Sequence, residues 1–290
     1  MMIFEIDSSI VTPEDLRLDS ALAEAADKEY ALYHSGPRTA VPSSVAYLPF
    51  SHFISSDELT SLASSLKSSN NPGLRERILS ERLSPEKNIG QMEWNFDVSN
   101  YSPYYQSLPG KKYATMMQML QYPFSKGSIH IPAMKDGKPT TSDDKPVIDP
   151  KYYDGPGGQV DFRTMVAAQK YAYKICSTKP LSNVILSRVY PPTTTGLDSN
   201  LEDEDFADWV RDSTITDWHP VGTCAMGGKE AINGGVVDHR LRVYGVNGLR
   251  VVDASIMPLQ ISAHLQATVY AIGEKGASMI LEDWAKMVLS

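Results

Sequence analysis

An α+β fold is the class the sequence predicts, on three observations. Helix-start signals and apolar residues at helical spacing occur toward both ends of the chain, while the middle is rich in short strand-like runs bounded by breakers. No strand leads through a Gly-x-Gly-x-x-Gly turn into a helix, as it would in a dinucleotide-binding parallel sheet. The 290 residues, with 42% hydrophobic and 21% charged side chains, are enough to bury a core.

The elements follow in order. Ile3-Phe4-Glu5-Ile6 reads as a short strand. A helix is expected from Pro13 to about Tyr33, capped by Thr12, with Pro13 at its first position and Glu14 and Asp15 at the positive end of the dipole. Residues 36–50 read as a loop, because Gly36-Pro37 and Pro42-Ser43-Ser44 break any periodicity. Ser55 or Ser56 caps a second helix through Leu66, the polar loop Lys67–Pro72 follows, and another helix runs from Gly73 to about Leu83.

Met116–Tyr122 and Ser128–Pro132 are expected strands, and Lys135–Lys145 an exposed turn or loop. Phe162–Cys176 carries Met165, Ala168, Ala172 and Ile175 at spacings of three and four, which predicts an amphipathic helix. The four acids Glu202–Asp205 read as a solvated helix start. Leu249–Asp253 is expected as a buried strand after the turn Gly245–Gly248. A long helix follows from about Ala263 to Met287, with Leu265, Val269, Ile272, Ile280 and Trp284 on one side. Gly273 and Gly276 inside it point to close packing against another backbone.

Composition narrows the function. The net charge of −8 comes from 35 acids against 27 bases, so a phosphate-neutralising nucleic-acid binder is disfavoured. Two cysteines, Cys176 and Cys224, rule out a disulfide framework and a four-cysteine zinc site, and no metal site is expected. No apolar run of about 18 residues offers a membrane span, and MMIFEIDSS lacks the character of a signal peptide. A cytoplasmic globular protein is the expectation.

Two segments carry candidate chemistry. In Trp218–Gly227 a histidine, His219, enters a run of small residues that lets backbone approach a planar ligand. In Ser262–Thr268 a second histidine, His264, sits at the expected start of the long helix, where unpaired N–H groups favour an anion and a neutral imidazole. His34, His52, His130 and His239 have no such setting and are read as structural or exposed.

The run His219–Gly227, then Gly235–Asp238, Leu241–Val246, Leu249–Pro258 and His264–Lys275, closely resembles the carboxy-terminal signature of the glucose–methanol–choline (GMC) oxidoreductases. Pro123–Ile131 and Ile148–Tyr153 look like strand segments of that family's substrate domain, and Gly36-Pro37 after Glu29-Tyr30 like an earlier mid-chain segment. The resemblance covers essentially the whole sequence. It implies an antiparallel β-sheet substrate domain packed with helices, and a C-terminal strand–helix segment that in the intact family joins the FAD-binding domain.

On that basis residues 1–35 are a partly helical mid-chain segment, 36–215 the substrate-binding domain and 216–290 the C-terminal signature. His219 matches the family histidine that takes the substrate hydroxyl proton as hydride leaves for the flavin. His264 matches the second position, which hydrogen-bonds the same oxygen. Asp253 and Ala254 match contacts to the ribityl and pyrophosphate region, and Leu265 and Gln266 the helix start facing the flavin pyrimidine edge.

The resemblance implies an FAD-dependent oxidoreductase acting on the CH–OH group of an alcohol. It departs from the family in lacking the N-terminal Gly-x-Gly-x-x-Gly fold, since Gly155-Pro156-Gly157-Gly158 has the wrong spacing. A separate flavin-binding chain or a homodimer would then complete the site. The alternative expectation is a flavin-independent substrate domain acting as a cyclase, isomerase or ligand-binding protein.

Overall fold

The computed structural model describes residues 1–39, 43–66, 73–134, 137–192, 204–228 and 234–289. In chain order the elements are β1 (Met2–Ile6), α1 (Pro13–Leu18), α2 (Ser20–Tyr33), β2 (Ser43–Leu48), α3 (Ser56–Leu66), α4 (Leu74–Arg82), β3 (Met92–Asp97) and β4 (Lys112–Leu120). They continue with β5 (Ser128–His130), β6 (Val147–Asp149), α5 (Gly155–Cys176), β7 (Ile185–Tyr190), α6 (Glu204–Asp212) and α7 (Gln266–Leu289). Helices and antiparallel strands share the chain in an α+β fold. The contacts divide it into two units.

The first unit comprises Met1–Ile54, Ile89–Leu120 and Arg163–Ile215. Its five-stranded antiparallel sheet has the order β2-β3-β4-β1-β7. Strand β1 lies between β4 and β7, which is why Met2, Ile3, Phe4 and Ile6 are all buried rather than alternating with exposed residues. On β3 the apolar Met92 and Trp94 alternate with the polar Glu93, Asn95 and Asp97, yet both sets are buried. Trp94 meets Phe53 at 5.0 Å and Tyr171 of α5 at 5.6 Å between ring centroids, so an aromatic cluster fixes α5 against the sheet. Thr12 caps α1 in a reciprocal box with Asp15, whose carboxylate also accepts from Lys112 Nζ at 2.8 Å and so ties the helix to β4.

The second unit comprises Ser55–Asn88, Gln121–Phe162 and Thr216–Ser290. Buried Asp161 gathers the segment ahead of β5, accepting from Phe124 N at 2.8 Å and from Ser125 N at 2.7 Å. Arg75 of α4 donates to the Pro123 and Phe124 carbonyls at 3.0 and 3.1 Å. Burial pushes the Asp161 carboxyl above its ordinary range, against the hydrogen bonds from Ser125 and Phe124. A small core of Val237, Leu241 and Ile256, with Val251, Val252, Ile272 and Met279 packed on it, anchors α7.

Several expectations are corrected. The helix over 13–33 is two helices, because Asp19 leaves the helical region with ψ 102 and caps α2. The loop expected over 36–50 contains β2, whose six residues gain ladder bonds from β3 that outweigh their turn-like composition; residues 40–42 of that loop lie outside those described. Strands β3 and β7 were not expected at all, and β4 begins at Lys112 and ends at Leu120 rather than spanning 116–122.

Helix α5 starts at Gly155, ahead of the expected Phe162, with Pro156 near its first turn. A Cβ at Gly158 would fall on the Tyr153 backbone, so the glycine run serves close packing. Leu249–Asp253 forms no strand. Its pairing is one bridge, Arg242 to Arg250, with Val251 N donating to Leu241 O at 3.1 Å, and Leu249 stays 49% exposed. Lys67–Pro72 and residues Glu202 and Asp203 of the acidic run lie outside the described residues.

Candidate functional site

Within the second unit, His219 and His264 come together. Their ring centroids are 5.4 Å apart and the planes meet at 67°. Three segments distant in sequence create this pairing. The stretch after His219 is bonded to the stretch around Asp253, with Cys224 N donating to Ser255 O at 3.0 Å and Met226 N to Ile256 O at 2.7 Å. The stretch around Val252 is locked to α7, since a Cβ at Gly276 would fall on the Val252 side chain. Gly273, by contrast, has open space around it, so only one of the two helix glycines serves close packing.

Charge completes the clasp. Asp283 of α7 pairs with Arg240 at 2.7 Å and Arg250 at 2.5 Å, and Arg240 also reaches Glu282 at 3.1 Å. The hydrogen bond from Arg240 holds the Asp283 carboxyl below its ordinary range and raises the guanidinium in return. These contacts seat the C-terminal part of α7.

The helix itself begins at Gln266, so His264 stands just ahead of it rather than inside it. Leu265 is buried and its carbonyl accepts the first helical bond, from Val269 N at 2.9 Å. The N–H groups of the first turn therefore have no carbonyl within the helix to bond. Gln266 is exposed there. Asp253 caps a 3₁₀ turn over Ala254–Ile256, its Oδ1 accepting from Ser255 N at 2.8 Å and Ser255 Oγ at 2.5 Å. Asp253 and Ala254 thus form the corner that precedes Met257-Pro258.

The turn leading into His219 holds features that the sequence reading passed over. Asp217 Oδ2 lies 3.0 Å from His219 Nδ1. Between them Trp218 adopts a left-handed φ of 54° and is 75% exposed, with its N–H donating to Thr216 Oγ1 at 3.0 Å. The signal available in the sequence was an acid two residues before the histidine. Cys176 is buried, and burial pushes its thiol up to about 12, which removes it from nucleophilic chemistry. Among the described residues no group of three or more His, Cys, Asp or Glu could hold a metal ion, and no helix is long and apolar enough to cross a membrane.

Geometrically, the site offers two adjacent imidazoles, one with a carboxylate on its Nδ1, beside a helix start with open N–H groups. Such a set can take a proton from a hydroxyl and hydrogen-bond the oxygen left behind.

Comparison with known proteins identifies the family. Residues 123–273, more than half of the chain, match the family model described as GMC oxidoreductase. The dehydrogenase citC of Monascus ruber is 29% identical over 306 aligned positions, which cover 97% of this chain and 46% of that protein. Glucose oxidase 1 of Penicillium expansum is 35% identical over 162 positions, 56% of this chain and 24% of that protein. Among solved structures, the formate oxidase of Aspergillus oryzae RIB40 superposes with a TM-score of 0.73 at 22% identity, over 97% of this chain and 45% of its own. A fungal aryl-alcohol oxidase gives 0.66 at 23% identity, over 98% and 47%. The last two likenesses concern the fold. The chain spans about half the length of the relatives that it matches end to end, and it corresponds to their C-terminal part. The matched segment contains both histidines and the corner at Asp253, and the chain belongs to the GMC oxidoreductase family.

Proposed function

We propose that this chain supplies the substrate-binding and proton-handling part of an FAD-dependent oxidoreductase acting on the CH–OH group of an alcohol. The observation that carries the reading is the meeting of His219 and His264, whose rings lie 5.4 Å apart although 44 residues stand between them in sequence. In this reading His219 accepts the hydroxyl proton and His264 hydrogen-bonds the same oxygen, so that alkoxide character is stabilised while the base stays within reach. His219 is half-buried and His264 exposed, so a small hydroxyl compound can approach both rings from outside.

The residues present fit FAD on the donor side. The first turn of α7, with Leu265 and Gln266, would offer backbone N–H groups to the polar edge of the flavin, and Asp253 and Ala254 would hold the ribityl and pyrophosphate region at their small, polar corner. Bound there, FAD would supply the two-electron acceptor that alcohol oxidation requires. The Gly-x-Gly-x-x-Gly grip on the dinucleotide is not within these 290 residues, so it would come from further sequence on the same polypeptide, from a separate flavin-binding chain or from a second copy. The flavin-independent alternative draws no support from the relatives named above.

The test is a visible-absorbance titration with FAD, on the chain alone and on the chain mixed with the FAD-binding half of a family member. The proposal expects the flavin spectrum to shift and FAD to co-elute with the mixture, and an alcohol to bleach it. Failure to retain FAD in either form would overturn it.

A further inference from the structure

The contact between Asp217 and His219 calls for an explanation that packing does not give. The carboxylate Oδ2 stands 3.0 Å from Nδ1 of the imidazole. An ionised carboxylate only accepts, so at this distance it favours the tautomer with the proton on Nδ1 and the lone pair on Nε2. The backbone between the two residues is held in an unfavourable state to allow it. Trp218 has φ 54°, a conformation costly for a bulky residue, and the residue is 75% exposed, so burial does not compensate. The turn is instead fixed by Trp218 N–H donating to Thr216 Oγ1 at 3.0 Å. What this geometry achieves is the meeting of the acid and the imidazole on either side of Trp218.

We propose that Asp217 is a positioning residue for His219, an inference that rests on His219 being the base of the site. The carboxylate holds the ring in the Nδ1–H tautomer. When the substrate O–H bond breaks and the Nε2–H bond forms, it also steadies the imidazolium across the same 3.0 Å contact. The arrangement follows the logic of an acid that orients a histidine without itself taking the proton.

The test uses histidine labelled with ¹⁵N in the chain as it stands, with His219→Gln to assign the His219 signal among the six histidines. In the parent, His219 shows the Nδ1–H tautomer as the dominant neutral form. Asp217→Ala shifts the majority to Nε2–H, and Asp217→Glu restores part of the parent pattern, while an unchanged His264 signal and circular dichroism confirm that the fold is kept. A His219 signal that is Nε2–H in the parent, or that does not respond to Asp217→Ala, overturns the proposal. In FAD-loaded enzyme, Asp217→Ala lowers kcat about 10- to 100-fold with KM nearly unchanged. An unaltered kcat, or a change confined to KM, contradicts it. Because the tautomer measurement needs no flavin, a chain that fails to bind FAD but shows the tautomer shift would defeat the proposed function and leave the Asp217–His219 assignment standing.

Discussion

The sheet of the first unit and the segment from Thr216 onward hold their shape by different means. Four antiparallel pairings and the Phe53–Trp94–Tyr171 cluster fix the sheet. Among its described residues the C-terminal segment has only isolated bridges before α7, and is held by scattered backbone bonds, tight contacts at Gly235 and Gly276 and the charges on Asp283. Regular hydrogen bonding spreads stability over many residues, whereas the irregular segment concentrates it in a few. Loops that carry chemistry commonly need such individual fixings, because no ladder sets their geometry.

The contrast is broken most severely in the sheet by Trp94→Ala. Removing a ring buried against Phe53 and Tyr171 costs about 3–5 kcal/mol, seen as a lower denaturation midpoint. A loss below about 1 kcal/mol would mean that the cluster does not anchor α5. In the C-terminal segment Gly276→Ala drives a methyl into Val252 and costs about 1–3 kcal/mol. It should also disturb the His264 signal, as α7 moves away from its seat. Gly273→Ala, three positions earlier in open space, stabilises by about 0.5–1 kcal/mol. Equal effects from the two glycines would remove close packing as the reason for Gly276.

The smallest effect concerns pH. Asp283 has its folded pKa depressed, foremost by the hydrogen bond from Arg240. Its contribution to stability is therefore present above the unfolded value, about 3.9, and is lost as pH falls through the lower folded value. Asp283→Asn should lower the melting temperature slightly near neutrality, with the gap to the parent closing in strong acid. A gap that widens in acid would reverse the assignment.

Much of the helical framework was legible because capping and periodicity are local. Thr12, Pro13 and Asp15 mark the start of α1, and Ser55 accepts from Glu58 N at 3.2 Å at the head of α3, as its position promised. The strands were less legible. Val45 and Tyr47 follow breakers and are strand only because β3 lies beside them, and the polar set on β3 is buried where a half-exposed strand would keep it wet. Both histidines could be singled out from small-residue and helix-start contexts. Asp217 was marked only by its place two residues before the histidine, because its approach to the ring depends on the backbone turn at Trp218, and nothing in a Trp side chain announces a left-handed φ.

The central claim is that His219 is the proton acceptor in alcohol oxidation. The most direct measurement is anaerobic flavin reduction by an alcohol in FAD-loaded enzyme assembled with its flavin-binding half, comparing the parent with His219→Ala at matched FAD occupancy. The account predicts that reduction slows by about 10²- to 10⁴-fold while FAD binding is retained. A variant that reduces its flavin at the parent rate would contradict it.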